Sequence, residues 1–227
     1  MKDLYDFVNT VDSTKTYTNN HYNPSEPSFL ALNKYLNDHG VEYDAVGMQA
    51  HMQTNAGVLS EDALWKLLTD YESLGKDIQF TELTVTSSRR FNDWRDHQVF
   101  LKRRTEKIKK GESMNLPSLP EYENYQSDYV KDFYTLVFSH PSVTSLTFWN
   151  LADRNAWRGH AGGLLDNNLE PKKAYYTLKD LIKNKWSTKV VKTVKLGEIV
   201  AFNGFYGHYS GKIVIDGTAY DIKFTHS

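Results

Sequence analysis

The chain alternates four times between short runs that read as strands and longer stretches whose apolar residues recur every three or four positions. That alternation confines the fold to a parallel sheet covered by helices, because neighbouring parallel strands need a long crossover between them. The strand-like runs are 15–23, 45–51, 78–85 and 145–151. Helical spacing appears first in Leu4, Phe7, Val8 and Val11, and next in Phe29, Leu32, Tyr35 and Leu36, with Ser28 as the cap and Gly40 as the stop. A third stripe, Leu64, Leu67, Leu68, Tyr71 and Leu74, follows a Ser60 cap and ends at Gly75. Residues 128–138 carry Tyr129, Val130, Phe133, Leu136 and Val137, and residues 174–182 form a last helix with Pro171 near its start.

Two parallel architectures compete: an open doubly wound sheet and part of a (β/α)₈ barrel. No Gly-x-Gly-x-x-Gly or Walker-type loop follows any strand, which removes the usual reason for a nucleotide-binding open sheet. In a barrel, working groups sit where strands end, and the four runs end at Asn20, His51, Glu82 and Trp149. The excursion 87–126 holds Arg89-Arg90, Lys102-Arg103-Arg104 and Lys109-Lys110, but acids are interspersed throughout. It reads as a solvated segment with helix around 92–110 rather than a nucleic-acid surface. Past Lys185 the period moves toward two. Residues 198–202, 212–215 and 219–224 read as strands, with Asp216-Gly217 as a hairpin turn. Residues 1–185 are therefore expected to form the parallel domain, and residues 186–227 a small β-rich appendage packed on it.

Within Ile78-Gln79-Phe80-Thr81-Glu82-Leu83-Thr84-Val85, one carboxylate interrupts a run of β-branched and aromatic residues. Burying it costs several kcal/mol unless it is paired, so Glu82 is either at a solvated strand end or a working group. A formal net charge of −1 gives no field for nucleic acid or an anionic membrane. With no cysteine, disulfides and thiolate metal sites are excluded. The first residues lack the apolar core of an export signal, and no run reaches transmembrane length. Aromatic residues are frequent, with fifteen Tyr and five Trp, and aromatic faces suit sugar rings as well as cores.

Several segments, taken in order, resemble glycoside hydrolase family 10, the retaining endo-β-1,4-xylanases. Val46-Gly47-Met48-Gln49-Ala50-His51 is similar to the family's strand-six Gln-x-His motif, and Phe80-Thr81-Glu82-Leu83-Thr84-Val85 to its strand-seven Thr-Glu-Leu-Asp-Val motif. Thr147-Phe148-Trp149-Asn150-Leu151-Ala152-Asp153 with Ala156-Trp157-Arg158 resembles strand eight and its two sugar-contacting tryptophans. Leu164-Leu165-Asp166-Asn167-Asn168 and Pro171-Lys172-Lys173-Ala174-Tyr175-Tyr176 resemble the closing loop and last helix. Asn20-His21-Tyr22-Asn23 is a looser likeness to the segment after strand five, and residues 202–209 resemble an ending found in one branch of the family. Thr84 stands where the family has Asp, and the family's general acid/base, the Glu of an Asn-Glu pair ending strand four, has no counterpart.

The resemblance implies the C-terminal half, strands five to eight, of a (β/α)₈ TIM barrel with a small C-terminal β appendage. It implies Glu82 as nucleophile and His51 as the group that orients it. Gln49, Trp149, Trp157 and Arg158 would meet sugar or support those that do, and Asn20 and Tyr22 would contact the leaving-group side. Trp65 and Trp94, with no motif around them, read as packing. No metal or cofactor is expected. The expected partners are xylan or xylo-oligosaccharide and a complementary N-terminal half-barrel polypeptide. Self-association of two copies, binding sugar without hydrolysis, is the alternative. Either would cover two open sheet edges and an apolar inner face. Secretion is expected from the resemblance, and nucleic-acid or membrane partners are not.

Overall fold

The computed structural model describes residues 2–195 and 197–226. They divide into two compact units, one running to Thr177 and the other beginning at Leu178. No helix among the described residues is long and apolar enough to cross a membrane.

The first unit is built on a parallel sheet of four strands in sequence order: β1 (Thr18–His21), β2 (Ala45–Met52), β3 (Asp77–Val85) and β4 (Val143–Phe148). The helices are α1 (Lys2–Val11), α2 (Pro27–Asp38), α3 (Glu61–Glu72), α4 (Trp94–Lys109) and α5 (Pro120–Ser139), and α6 (Lys173–Asp180) runs across the division between units. The α/β parallel architecture expected from the alternation is therefore present.

Side-chain alternation splits the sheet into two chemically different faces. One is apolar: Val46, Met48, Ile78, Phe80, Leu83 and Val85 are fully buried. Helices cover it through Phe29 and Leu36 of α2, Leu64, Leu67, Leu68 and Tyr71 of α3, and Val130, Phe133 and Val137 of α5. Phe80 meets Phe133 edge-on with centroids 5.2 Å apart, and each such ring contributes about 1.5–3 kcal/mol on burial. The opposite face is polar. Thr18 donates to Gln79 (3.0 Å), Thr81 to Asn20 (2.9 Å) and Gln49 to Glu82 (2.9 Å). This corrects the expectation of an uncovered apolar inner face. The uncovered side chains hydrogen-bond across strands, so the apolar load lies wholly on the helix side.

The register between β2 and β3 shifts once. Met48 pairs with Phe80, and the next pair is Gln49 with Glu82. Thr81 is the additional residue of a β-bulge, which places both Thr81 and Glu82 on the polar face. β3 continues to Val85, so Glu82 lies inside the strand and not at its end.

Other boundaries moved for identifiable reasons. α2 is capped at Glu26 with Pro27 in its first turn, so Ser28 lies inside the helix. α5 starts at Pro120, before the expected 128–138 segment, because its first two turns are mostly polar. β4 begins at Val143 and stops before Trp149, although Trp149 N still donates to Leu83 O at 2.7 Å. In α1, Leu4, Phe7 and Val11 are exposed and Tyr5 is buried. The helix docks through Tyr5 against Tyr43 (5.9 Å) and through the Asn9 amide on Glu42 O (3.3 Å).

The second unit contains a π-helical turn, Leu181–Lys185, and an antiparallel hairpin of β5 (Gly207–Ile215) and β6 (Thr218–His226). Asp216 and Gly217 form the expected two-residue turn, both with positive φ (48° and 79°). Tyr209 and Phe224 stack across the hairpin at 5.1 Å. Residues 198–202 are not a strand. An alternating run becomes one only when a neighbour takes up its backbone hydrogen bonds, and Ile199 is 92% exposed.

Candidate active site

Three neighbouring strands and the turn after β4 bring most of the predicted residues together. On β3 the bulge aims the Glu82 side chain onto the polar face, where it is 19% exposed. On β2, Gln49 and His51 lie two residues apart and so share that face. Gln49 Nε2 donates to Glu82 Oε1 at 2.9 Å, and His51 Nε2 lies 3.0 Å from Glu82 Oε2. The other ring nitrogen of His51, Nδ1, is 2.8 Å from the hydroxyl of Thr84, two residues further along β3.

The rim comes from the segment after β4. Trp157 packs on His51 with ring centroids 5.0 Å apart and meets Trp149 edge-on at 6.5 Å. Both indoles are a little over one third exposed. The backbone N–H of Trp157 donates to Asn150 Oδ1 (3.4 Å), and Asn150 turns the chain with φ 76°. Arg158 also has positive φ (61°), a conformation that costs about 1–3 kcal/mol for a non-glycine residue. Its guanidinium recovers that cost by stacking 3.9 Å from Trp157 and 5.2 Å from Trp94, and by reaching Gln53 Oε1 at 3.5 Å.

The outlying predicted residues divide. Asn20 reaches the polar face and accepts from Thr81, one residue before Glu82. Gly47 leaves room for it, since a Cβ there would lie 2.7 Å from Asn20 Oδ1. The ring of Tyr22 lies against His21 (4.6 Å) and is 70% exposed; among the described contacts it has none with the Glu82 cluster. Trp94, expected to be packing, does lie edge-on to buried His97 (5.0 Å), but it is half-exposed and also has the Arg158 guanidinium over its ring. Trp65 lies edge-on to His140 (5.1 Å), away from this cluster. Residue type alone did not reveal Trp94, because α4 lies in the charged excursion, sixty residues before Arg158. Thr84 was visible only as a departure from a motif.

Burial shapes the electrostatics. It raises the Glu82 carboxyl above its ordinary range and lowers His51 to about 4, with the positive charge of Arg158 adding to the effect on His51. Near neutral pH the imidazole is therefore neutral. Glu82 accepts from Gln49 on one oxygen and has His51 Nε2 within hydrogen-bond distance of the other, and it is the only carboxylate in this cluster of described residues.

A family model described as glycosyl hydrolase family 10 matches residues 5–181. The chain belongs to that family. Among curated relatives, family 10 membership is accompanied by 28% identity over 111 residues to the anti-sigma-I factor RsgI6 of Acetivibrio thermocellus, covering 46% of this chain and 14% of that protein. An endo-1,4-beta-xylanase/feruloyl esterase of Xylanibacter ruminicola is 25% identical over 183 residues, covering 78% of this chain and 23% of that protein. Among solved structures, native xylanase 10B from Thermotoga maritima superposes with a TM-score of 0.61 at 21% identity, covering 81% of this chain and 52% of that one. The chain spans less than a quarter of the length of those two curated relatives and about half of that structure. The family 10 fold is a TIM barrel, and four parallel strands with their helices match it here.

Proposed function

We propose that this chain supplies the nucleophile side of a retaining endo-β-1,4-xylanase site, as strands five to eight of a barrel. The observation that carries the reading is the Glu82 carboxyl group, held by Gln49 and His51 on the polar face beside the part-exposed indoles of Trp157 and Trp149. Xylan is proposed as the substrate because the X. ruminicola and T. maritima relatives are xylanases by name. Such a polymer would be met outside the cell.

Retaining hydrolysis uses two carboxyl groups about 5–5.5 Å apart. In this reading a Glu82 oxygen attacks the anomeric carbon and forms a glycosyl ester. The glycosidic oxygen leaves with a proton from the second carboxyl group, which then deprotonates the water that cleaves the ester. Gln49 and His51 hold the carboxylate ionised and fixed in direction. The indoles offer their faces to sugar C–H groups, and Asn20 and Arg158 support the rim. The second carboxyl group would come from a complementary N-terminal half-barrel polypeptide lying against β1 and β4, the outer strands of the sheet.

Sugar binding without hydrolysis, by this chain alone or as a self-associated pair, is the second reading. The single carboxylate of the cluster favours it, as does a first relative named as an anti-sigma factor and not as a hydrolase. Xylan turnover separates the two. The chain alone should release almost no reducing sugar. With the complementary half supplied it should release xylo-oligosaccharide whose anomeric configuration, followed by NMR, is initially retained. Equal release by wild type and Glu82→Gln under those conditions would remove Glu82 as nucleophile.

A further inference from the structure

We infer that Glu82 and Thr84 together hold His51 as the neutral tautomer that carries its proton on Nε2, Glu82 selecting the tautomer and the Thr84 hydroxyl donating to Nδ1, and that Thr84 is thereby a positioning residue for Glu82. The imidazole lies between two oxygens: Glu82 Oε2 at 3.0 Å from Nε2 and Thr84 Oγ1 at 2.8 Å from Nδ1. A hydroxyl can donate or accept, whereas an ionised carboxylate only accepts. With the proton on Nε2, both contacts are hydrogen bonds: Nε2–H donates to Glu82, and the Thr84 hydroxyl donates to Nδ1. With the proton on Nδ1, the Nε2 lone pair faces a carboxylate oxygen at hydrogen-bond distance, which is repulsive. The doubly protonated ring would bury a cation close to Arg158.

The surroundings hold this arrangement in place. Thr84 is fully buried, and among the described hydrogen bonds its hydroxyl has one partner, His51. Its methyl group lies under Gly162, where an added Cβ would come within 2.8 Å of it, so the loop after β4 closes directly over the side chain. The charged groups facing His51 are Glu82 from β3 and Arg158 from the turn after β4; Trp157 covers the ring without charge. Arg158 disfavours imidazolium, and Thr84, unlike a carboxylate, offers no anion in compensation. The Glu82 charge is therefore met by neutral donors, with no cation formed beside it. A carboxylate so held keeps more of its basicity than one paired with imidazolium.

The catalytic consequence rests on the reading of Glu82 as nucleophile, but the tautomer does not, and it is measured without sugar or turnover. Long-range ¹H–¹⁵N spectra of the full-length, ¹⁵N-labelled chain would be followed from pH 3 to 9, with His51 assigned by loss of its signals in His51→Gln. At pH 7, His51 should show a protonated Nε2 and an unprotonated Nδ1. Thr84→Ser keeps the hydroxyl and should leave the His51 signals in place, whereas Thr84→Val should keep the tautomer, which Glu82 selects, but shift the Nδ1 resonance, because that nitrogen loses its donor. Thr84→Asp should raise the His51 midpoint by about two units, as expected for an adjacent opposite charge. A wild-type ring protonated on Nδ1 or on both nitrogens at pH 7 would overturn the proposal. So would an unshifted Nδ1 resonance in folded Thr84→Val, or an unchanged midpoint in folded Thr84→Asp. Failure of the xylanase reading would appear separately, as Glu82-independent sugar release with the tautomer intact.

Discussion

Lys172 Nζ lies 3.1 Å from each carboxylate oxygen of Asp153, and neither side chain is more than 3% exposed. The ammonium also donates to Ser87 Oγ (2.8 Å), just past β3, while Asp153 Oδ1 accepts from Gly163 N (2.7 Å). This buried knot closes the loop that presents Trp157 and ties it to the end of the strand bearing Glu82. Burial pushes the Asp153 carboxyl up and the Lys172 ammonium down, each opposed by its partner.

Removing one partner should therefore be worse than removing both. Lys172→Met leaves an uncompensated buried carboxylate and should cost roughly 3–5 kcal/mol. Lys172→Met combined with Asp153→Leu should cost less. Urea denaturation of the two variants checks this, and a double variant at least as unstable as the single would show that the charges are not what secures the loop.

Arg158 acts on the site through stacking and through charge. Under the proposed function, replacing it with Gln should weaken xylo-oligosaccharide binding several-fold, because Trp157 loses the stack worth about 0.5–2 kcal/mol that holds its ring against His51. The same change should raise the His51 midpoint above about 4, since Arg158 helps to lower it, but not to the ordinary value, since burial is the larger cause. Calorimetry and NMR titration read the two effects independently.

What the sequence displayed was whatever depends on local period or on a single turn. The β3 run, the Ser60 cap on Ala63 N and the Asp216-Gly217 turn are all of that kind, and all three are present. Which side of an amphipathic segment is covered is not a local property, so the stripe of α1 was read correctly as helix while its apolar face points outward. The Thr81 bulge was equally hidden, because an extra residue shows only against its partner strand. Contacts spanning more than sixty residues, such as Arg158 on Trp94 and His160 on His97, leave no trace in spacing. Glu82 was legible because a carboxylate is anomalous in a buried run, and Thr84 was not, because threonine is an ordinary strand residue.

Under the proposed function, the acid limb of turnover, measured with a complementary half supplied, should report Glu82. Attack requires the ionised carboxylate, so the rate should fall as pH drops through the Glu82 pKa, and burial places that pKa above the ordinary glutamate value. His51 is lowered to about 4 and stays neutral across neutral pH. Thr84→Asp should draw a proton onto the imidazole and move the acid limb to lower pH, because the resulting cation stabilises ionised Glu82. A limb unmoved in a folded, active variant would mean that another group controls it.

His97 of α4 and His160 meet through their Nε2 atoms at 3.0 Å, both within 1% of complete burial, with the ring of Phe91 against each. One ring donates and the other accepts, so the contact fails when both rings are protonated, burial disfavours a charge on either, and both Nδ1 atoms lack a partner among the described residues. Burial is the main cause that lowers His97 to about 4 and His160 to about 3, and Arg158 lowers both further. In the unfolded chain each would titrate near 6.5. The unfolded state thus binds more protons between those values, so the pair's contribution is complete above about pH 6.5 and is lost as pH falls toward 3–4. At the lower end the loss is on the order of 3 kcal/mol per histidine. Thermal melts should show the midpoint falling steadily from pH 7 to pH 4. The double variant His97→Phe, His160→Leu should flatten that fall, and an equally steep profile in the folded double variant would place the acid sensitivity elsewhere.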